Sequence, residues 1–257
     1  MTTVPLKHYE QGDPDAPPVL LAPSLGTTLA LWDHLADSLD DAFRVIRFDT
    51  RGHGASPSPE GPCTVPELAA DVLALADELE VERFAFVGIS LGGAIGEVLA
   101  LDHPERVSSL VLCCTGPRFG DPETWRERAA RVRAEGMAWL DGPTRERWFT
   151  AAFRDARPGV VDRTVRMLTE TVPTGYAGCC DALAEFDVTD RLGEIRVPTR
   201  VVAGSEDPVS GPEVADVLVN GIPGADLVVL DGVAHMANLA APGPFDAAVR
   251  EHLERTR

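Results

Sequence analysis

Apolar and polar positions follow two rhythms along the chain. Six short apolar runs stand out: PVLLA (18–22), FRVIRF (43–48), FAFVG (84–88), VSSLVLCC (107–114), TRVVAG (199–204) and DLVVL (226–230). They are rich in Val, Leu, Ile and Phe and bounded by turn-forming residues, which predicts strands buried on both faces of a parallel sheet. Helical periodicity fills several gaps between them. In VPELAADVLALADELE (65–80), Leu68, Val72, Leu75 and Leu79 recur on one helical face. LKHYEQG (6–12) predicts one antiparallel strand at the start. Alternation of this kind implies an α/β fold with a mostly parallel sheet flanked by helices.

The alternation stops between about Gly116 and Arg191. ETWRERAARVRAEGMAWL (123–140) predicts an amphipathic helix with Trp125, Ala129, Val132 and Leu140 on one face, and no strand is expected nearby. The expected organisation is a core of residues 1–116 and 192–257 carrying a helical cap, 117–191.

Charge separates the same two parts. Residues 117–191 hold 12 Arg against 13 acids, net −1, so −17 of the total of −18 lies on the rest. A protein this acidic repels nucleic acid and anionic membrane surfaces, so neither is an expected partner. With no basic leader joined to an apolar run and no long apolar stretch, the expected location is cytoplasmic. Five cysteines without C-x-x-C spacing read as reduced thiols, with no metal site.

Candidate chemistry centres on GISLG (88–92). A serine between glycines, after a strand and before a helix, is the pattern of a nucleophile elbow: the turn is too tight for side chains at Gly88 or Gly92, and it pushes the Ser90 hydroxyl above the sheet. The N–H of Leu91, opening the helix, is then a candidate oxyanion donor. The second donor is expected in LAPSLGTTLALW (21–32), after the third strand, from the N–H of Leu25, with Gly26 turning the backbone. Neither G-x-G-x-x-G nor a P-loop occurs at a strand end, which excludes phosphate-cradling readings.

A serine needs a base and the base an orienting acid, which on such a sheet follow in the order acid, then histidine. His235 in LDGVAHMANL directly follows the last strand, whereas His103 sits on the elbow's own helix and His252 in the polar C-terminal helix. The acid is expected at Asp207 in VVAGSEDPVS; it is preferred over Glu206 because it precedes Pro208, and Asp226 and Asp231 read as turn residues. Asp49, Arg51 and His53 in DTRGHGAS precede the nucleophile and read as a loop in which Asp49 and Arg51 hold backbone.

With the elbow, the strand rhythm and the helical insertion, the chain resembles the α/β-hydrolase superfamily over essentially its whole length. PSLGTTLALW (23–32), FDTRGHGAS (48–56), RWFT (147–150), GYAGCCDAL (175–183) and AHMANL (234–239) narrow the resemblance to the 3-oxoadipate enol-lactonases of bacterial protocatechuate and catechol breakdown. Pro23-Ser24 departs from the His-Gly of many superfamily members and the Asn-Ser of nearer ones, and Ala240 stands where relatives commonly carry an acid. The resemblance implies a Ser90–His235–Asp207 triad, no cofactor, and a small lactone or ester substrate bearing a carboxylate. Other readings of the same residues are a broad carboxylesterase, a C–C bond hydrolase and a ligand receptor with an idle triad. For such a substrate Arg133 and Arg147 are the candidate carboxylate contacts, while Trp125 and Trp148 are either pocket walls or insertion core.

Overall fold

The computed structural model describes residues 2–257. Seven strands form one sheet: β1 (His8–Gln11), β2 (Pro18–Ala22), β3 (Arg44–Phe48), β4 (Phe84–Ile89), β5 (Val107–Cys113), β6 (Thr199–Gly204) and β7 (Asp226–Leu230). Their order is β1-β3-β2-β4-β5-β6-β7, with only β1 antiparallel, paired to β3 at one edge. The six apolar runs and the 6–12 segment all carry strands. The loop at 23–28 leaves the second strand rather than a third.

Strand burial explains the apolar runs. Leu20, Leu21, Phe86, Val87, Leu110 and Leu112 are all fully buried because helices cover both faces of the central strands. Helices α1 (Asp33–Leu39), α2 (Val65–Glu78) and α3 (Leu91–Asp102) surround the first half. At the start of α2, the Thr64 hydroxyl accepts from the Glu67 amide while the Glu67 carboxylate accepts from the Thr64 N–H, so two otherwise orphaned donors are satisfied. Strand order reverses at β2: β3 lies on one side of it and β4 on the other. Loops leaving the C-terminal ends of β2 and β4 therefore part there and leave a crevice.

Between β5 and β6 the chain forms α4 (Pro122–Glu135), α5 (Asp141–Trp148), α6 (Ala151–Ala156), α7 (Pro158–Glu170) and α8 (Pro173–Glu185), and α4 packs against α8. The helix expected over 123–140 stops at Glu135. Gly136 takes φ 76°, a left-handed conformation that ends the helix, and a separate 3-10 turn, Ala138–Leu140, carries the apolar pattern onward. Helices α9 (Pro212–Gly221), α10 (Ala237–Ala240) and α11 (Pro242–Arg255) complete the second half. All five cysteines are free and buried, and no helix of the described residues is long and apolar enough to cross a membrane.

Glu97 on α3 is fully buried, with neither carboxylate oxygen hydrogen-bonded. Burial pushes its pKa well above the ordinary glutamate value, so the folded chain holds the proton. An unfolded chain releases that proton first as pH rises past about 4.5, and stability then falls until the folded carboxyl also ionises. Glu97→Met is expected to raise the melting temperature more at pH 8 than at pH 5, by about 2–4 °C for each kcal/mol recovered. Thermal melts at the two pH values check it; an equal or opposite shift excludes a proton-linked penalty at this position.

Candidate active site

Ser90 is the residue between β4 and α3, with φ 56° and ψ −116°, one of three non-glycine residues at positive φ among those described. Such a conformation costs on the order of 1–3 kcal/mol and persists only where its surroundings enforce it. Here they do. A Cβ on Gly88 would lie 2.1 Å from the Gly92 carbonyl oxygen, and one on Gly92 would lie 2.2 Å from the Ala22 oxygen, so both positions exclude any side chain. Ser90 N–H donates to the Cys113 carbonyl (3.0 Å) and the Ser90 carbonyl accepts from Thr115 Oγ1 (2.8 Å), pinning the turn from the β5 side.

His235 follows β7 and Asp207 follows β6, and the structure brings them together: His235 Nδ1 donates to Asp207 Oδ2 at 2.9 Å, with both side chains buried. Glu206 next door is exposed. Burial alone raises the Asp207 pKa; the charge of His235, its hydrogen bond and the amides of Val209 and Ser210 outweigh that and hold the carboxyl below its ordinary value. It therefore stays ionised and fixes the imidazole with Nδ1 protonated and Nε2 free. Asp226 is paired with Arg200 and Arg255, and the Asp231 carboxylate accepts from Ser205, so neither is available to His235.

Ser90 and His235 face one cavity of about 250 Å³. No hydrogen bond joins them; such contacts are often long before substrate binds and tighten in the complex. Leu25 lines the cavity, and its N–H has no acceptor in the described protein. Leu91 is buried at the first position of α3, where its N–H has no helical acceptor either.

The insertion supplies the opposite wall. Trp125, Arg147 and Trp148 line the cavity. Trp148 is also buried, so it is pocket wall and insertion core at once. Arg133 does not reach the cavity: it is exposed and ion-paired with Asp181 on α8. Arg128 faces the cavity instead, its guanidinium 4.5 Å from the Trp125 ring centroid. A helical offset of five residues turns Arg133 about 140° away from Arg128. Arg128 and Tyr176 were not singled out from sequence; the signal for Arg128 was its place three residues after Trp125 on the same helical face. Among the described residues Arg147 has no carboxylate partner, only the Thr144 hydroxyl (3.3 Å), and burial together with the nearby Arg128 charge lowers its pKa.

Asp49 holds backbone as expected, accepting from Leu29 N (2.7 Å) and Ala55 N (2.9 Å). Arg51 differs. It chiefly makes a two-pronged ion pair with buried Asp71 (2.6 and 2.7 Å), with only a 3.3 Å bond to the Thr2 carbonyl.

A family profile described as the alpha/beta hydrolase fold matches residues 17–242. The chain belongs to the α/β-hydrolase family. One curated α/β-hydrolase relative, 3-oxoadipate enol-lactonase 2 of Acinetobacter baylyi, is 36% identical over 98% of this chain and 94% of its own. The solved enol-lactonase from Burkholderia xenovorans LB400 superposes with a TM-score of 0.95 at 37% identity, covering 97% of this chain and 96% of that one. A thermophilic esterase from Thermogutta terrifontis superposes at 0.94 with 29% identity, covering 98% and 94%.

The elbow's packing gives a direct test of this α/β-hydrolase turn. Gly88→Ala or Gly92→Ala is expected to cost more than about 2 kcal/mol. Gly142→Ala, on α5 where the added methyl meets no atom within 4 Å beyond its chain neighbours and its own helix backbone, is expected to be neutral or to stabilise by about 0.5–1 kcal/mol. Denaturant unfolding of the three variants checks the contrast, and equal stabilities exclude a sterically enforced turn.

Proposed function

We propose that this chain is a serine hydrolase that opens a small carboxylate-bearing lactone, best matched by 3-oxoadipate enol-lactone, as a step in aromatic-compound degradation. One observation carries the reading: the strained Ser90 and a His235 held by buried Asp207 at 2.9 Å face a single cavity. Residues 117–191 act as the cap that closes it. The wider activity, hydrolysis of carboxylic ester bonds, fits the enol-lactonase and esterase relatives alike.

In this mechanism Ser90 Oγ attacks the lactone carbonyl while His235 Nε2 takes its proton, and Asp207 stabilises the resulting imidazolium. The Leu25 and Leu91 amides, with the positive end of α3, stabilise the tetrahedral oxyanion. Collapse breaks the ring C–O bond and expels an enolate, which takes the proton held by the His235 imidazolium and becomes the ketone, leaving His235 neutral. Water, deprotonated by His235, then attacks the acyl-enzyme and releases the second carboxylate and Ser90.

Substrate choice rests on Arg147 and Arg128. Both line the cavity and neither has a carboxylate partner among the described residues, on a protein of net charge −18. Five of the insertion's twelve arginines, Arg126, Arg131, Arg133, Arg145 and Arg191, are ion-paired; of the others, Arg128 and Arg147 are the two that line the cavity. A guanidinium left unpaired beside the nucleophile favours a substrate that brings its own anion.

Ser90→Ala, His235→Ala and Asp207→Asn are each expected to lower kcat by about 10⁴-fold or more, non-additively, while Glu206→Gln stays near wild type. Near-normal turnover in Asp207→Asn together with loss in Glu206→Gln rejects the assigned acid. Arg147→Met is expected to lower kcat/KM for the free-acid lactone roughly ten- to a hundredfold and to spare the lactone whose free carboxylate is methylated. Equal losses on both substrates remove Arg147 from recognition and favour a broad carboxylesterase with the same triad.

A further inference from the structure

His53 is buried, lies in the 49–56 loop and makes no hydrogen bond to Asp207 or His235, yet both of its ring nitrogens are engaged. Its Nε2 accepts from the Gly26 N–H at 2.9 Å, and its Nδ1 donates to the Arg51 carbonyl at 3.1 Å. Because a backbone N–H only donates, the Gly26 contact fixes the tautomer: the imidazole is neutral, with its proton on Nδ1. Gly26 is the residue after Leu25. Residues 24–27 form a β-turn in which Thr27 N–H donates to the Ser24 carbonyl (3.0 Å), reinforced by the Thr27 hydroxyl (2.7 Å). Its third residue, Gly26, has φ 79°, the form in which the central peptide is turned over relative to the commoner turn. That central peptide, Leu25–Gly26, is the one His53 holds.

We infer that His53 is a positioning residue for the oxyanion loop, locking the 24–27 turn so that the Leu25 N–H stays presented to the cavity. The inference rests on the serine-hydrolase reading above. The lock is anchored at both ends. Asp49, from the same loop, accepts from the Leu29 amide just beyond the turn, and Gly52 packs so closely on Gly175 of α8 that a Cβ there would lie 2.5 Å from the Gly175 Cα. Without the imidazole acceptor, the Gly26 N–H is buried and unpaired, and rotation of the central peptide relieves it.

The test compares His53→Leu, which removes the acceptor, with His53→Gln, whose Oε1 restores one at similar reach. Active sites are counted from the burst of an activated ester; kcat and KM are then measured per site, with affinity for a boronic acid that forms a tetrahedral adduct on Ser90. Losing one oxyanion donor outright costs about 10²–10³ in kcat. His53→Leu, which displaces rather than deletes it, is expected to lose about 10- to 100-fold in kcat and in boronate affinity, with KM within about threefold; His53→Gln recovers most of both. A per-site kcat for His53→Leu within about twofold of wild type, or a His53→Gln as impaired as His53→Leu, overturns the proposal. Nitrogen NMR of the wild-type imidazole decides without a variant: protonation at Nδ1 is expected, and protonation at Nε2 overturns it. Ester turnover that survives Ser90→Ala rejects the serine-hydrolase reading instead and leaves the tautomer result to stand alone.

Discussion

Everything at this site depends on how closely two backbones approach where β4 turns into α3. The Gly88 Cα stands against the Gly92 carbonyl, and Gly92 against Ala22 at the end of β2, with no room for a methyl group at either place. That contact forces Ser90 into positive φ. It also brings the N-terminus of α3 beside the loop leaving β2, where the 24–27 turn begins. A slacker turn would lower the serine toward the sheet and separate the two free amides, so one steric constraint sets both the height of the hydroxyl and the spacing of its neighbours.

A second layer of order is electrostatic. Asp207 is buried and ionised because His235 and two amides compensate it. Glu97 is buried and neutral because nothing does. The two carboxyls show how the same burial yields opposite charge states, depending on whether donors are within reach. Arg147 is the cationic counterpart: half-buried, uncompensated and lowered in pKa, it gains most from a ligand that carries the missing charge.

Much of this was legible in the sequence, for identifiable reasons. Strands buried on both faces leave unbroken apolar runs, so β2 through β7 could be marked within a residue or two. The elbow is a local pattern, and Gly88 is required by a contact only four residues away, although Gly92 answers to Ala22 on β2. Long-range partners were harder. Asp207 was separable from Glu206 only through Pro208, whereas the structure separates them by burial. Arg133 misled because a helix presents its residues around a full circle, and only the position of α8 decides which face meets the cavity. The end of α4 was missed because the 3-10 turn at 138–140 continues the apolar spacing after Gly136 has already broken the helix. The role of the DTRGHGAS loop was half visible: its polar side chains suggested backbone contacts, but not that the far end of the His53 bond lay in the 24–27 turn.

One short contact ties the two halves of the cavity wall together. The amide of Met236, the residue after His235, donates to the carbonyl of Trp148 at 3.1 Å. The last residue of α5 is thus stitched to the histidine's own loop. If α5 swung outward to widen the mouth, it would have to break this bond or drag the imidazole away from Asp207. The helix carrying Trp125 and Arg128 has no such stitch to the histidine loop among the described residues; it is held instead by its packing on α8, so the two sides of the mouth are tied to different parts of the molecule.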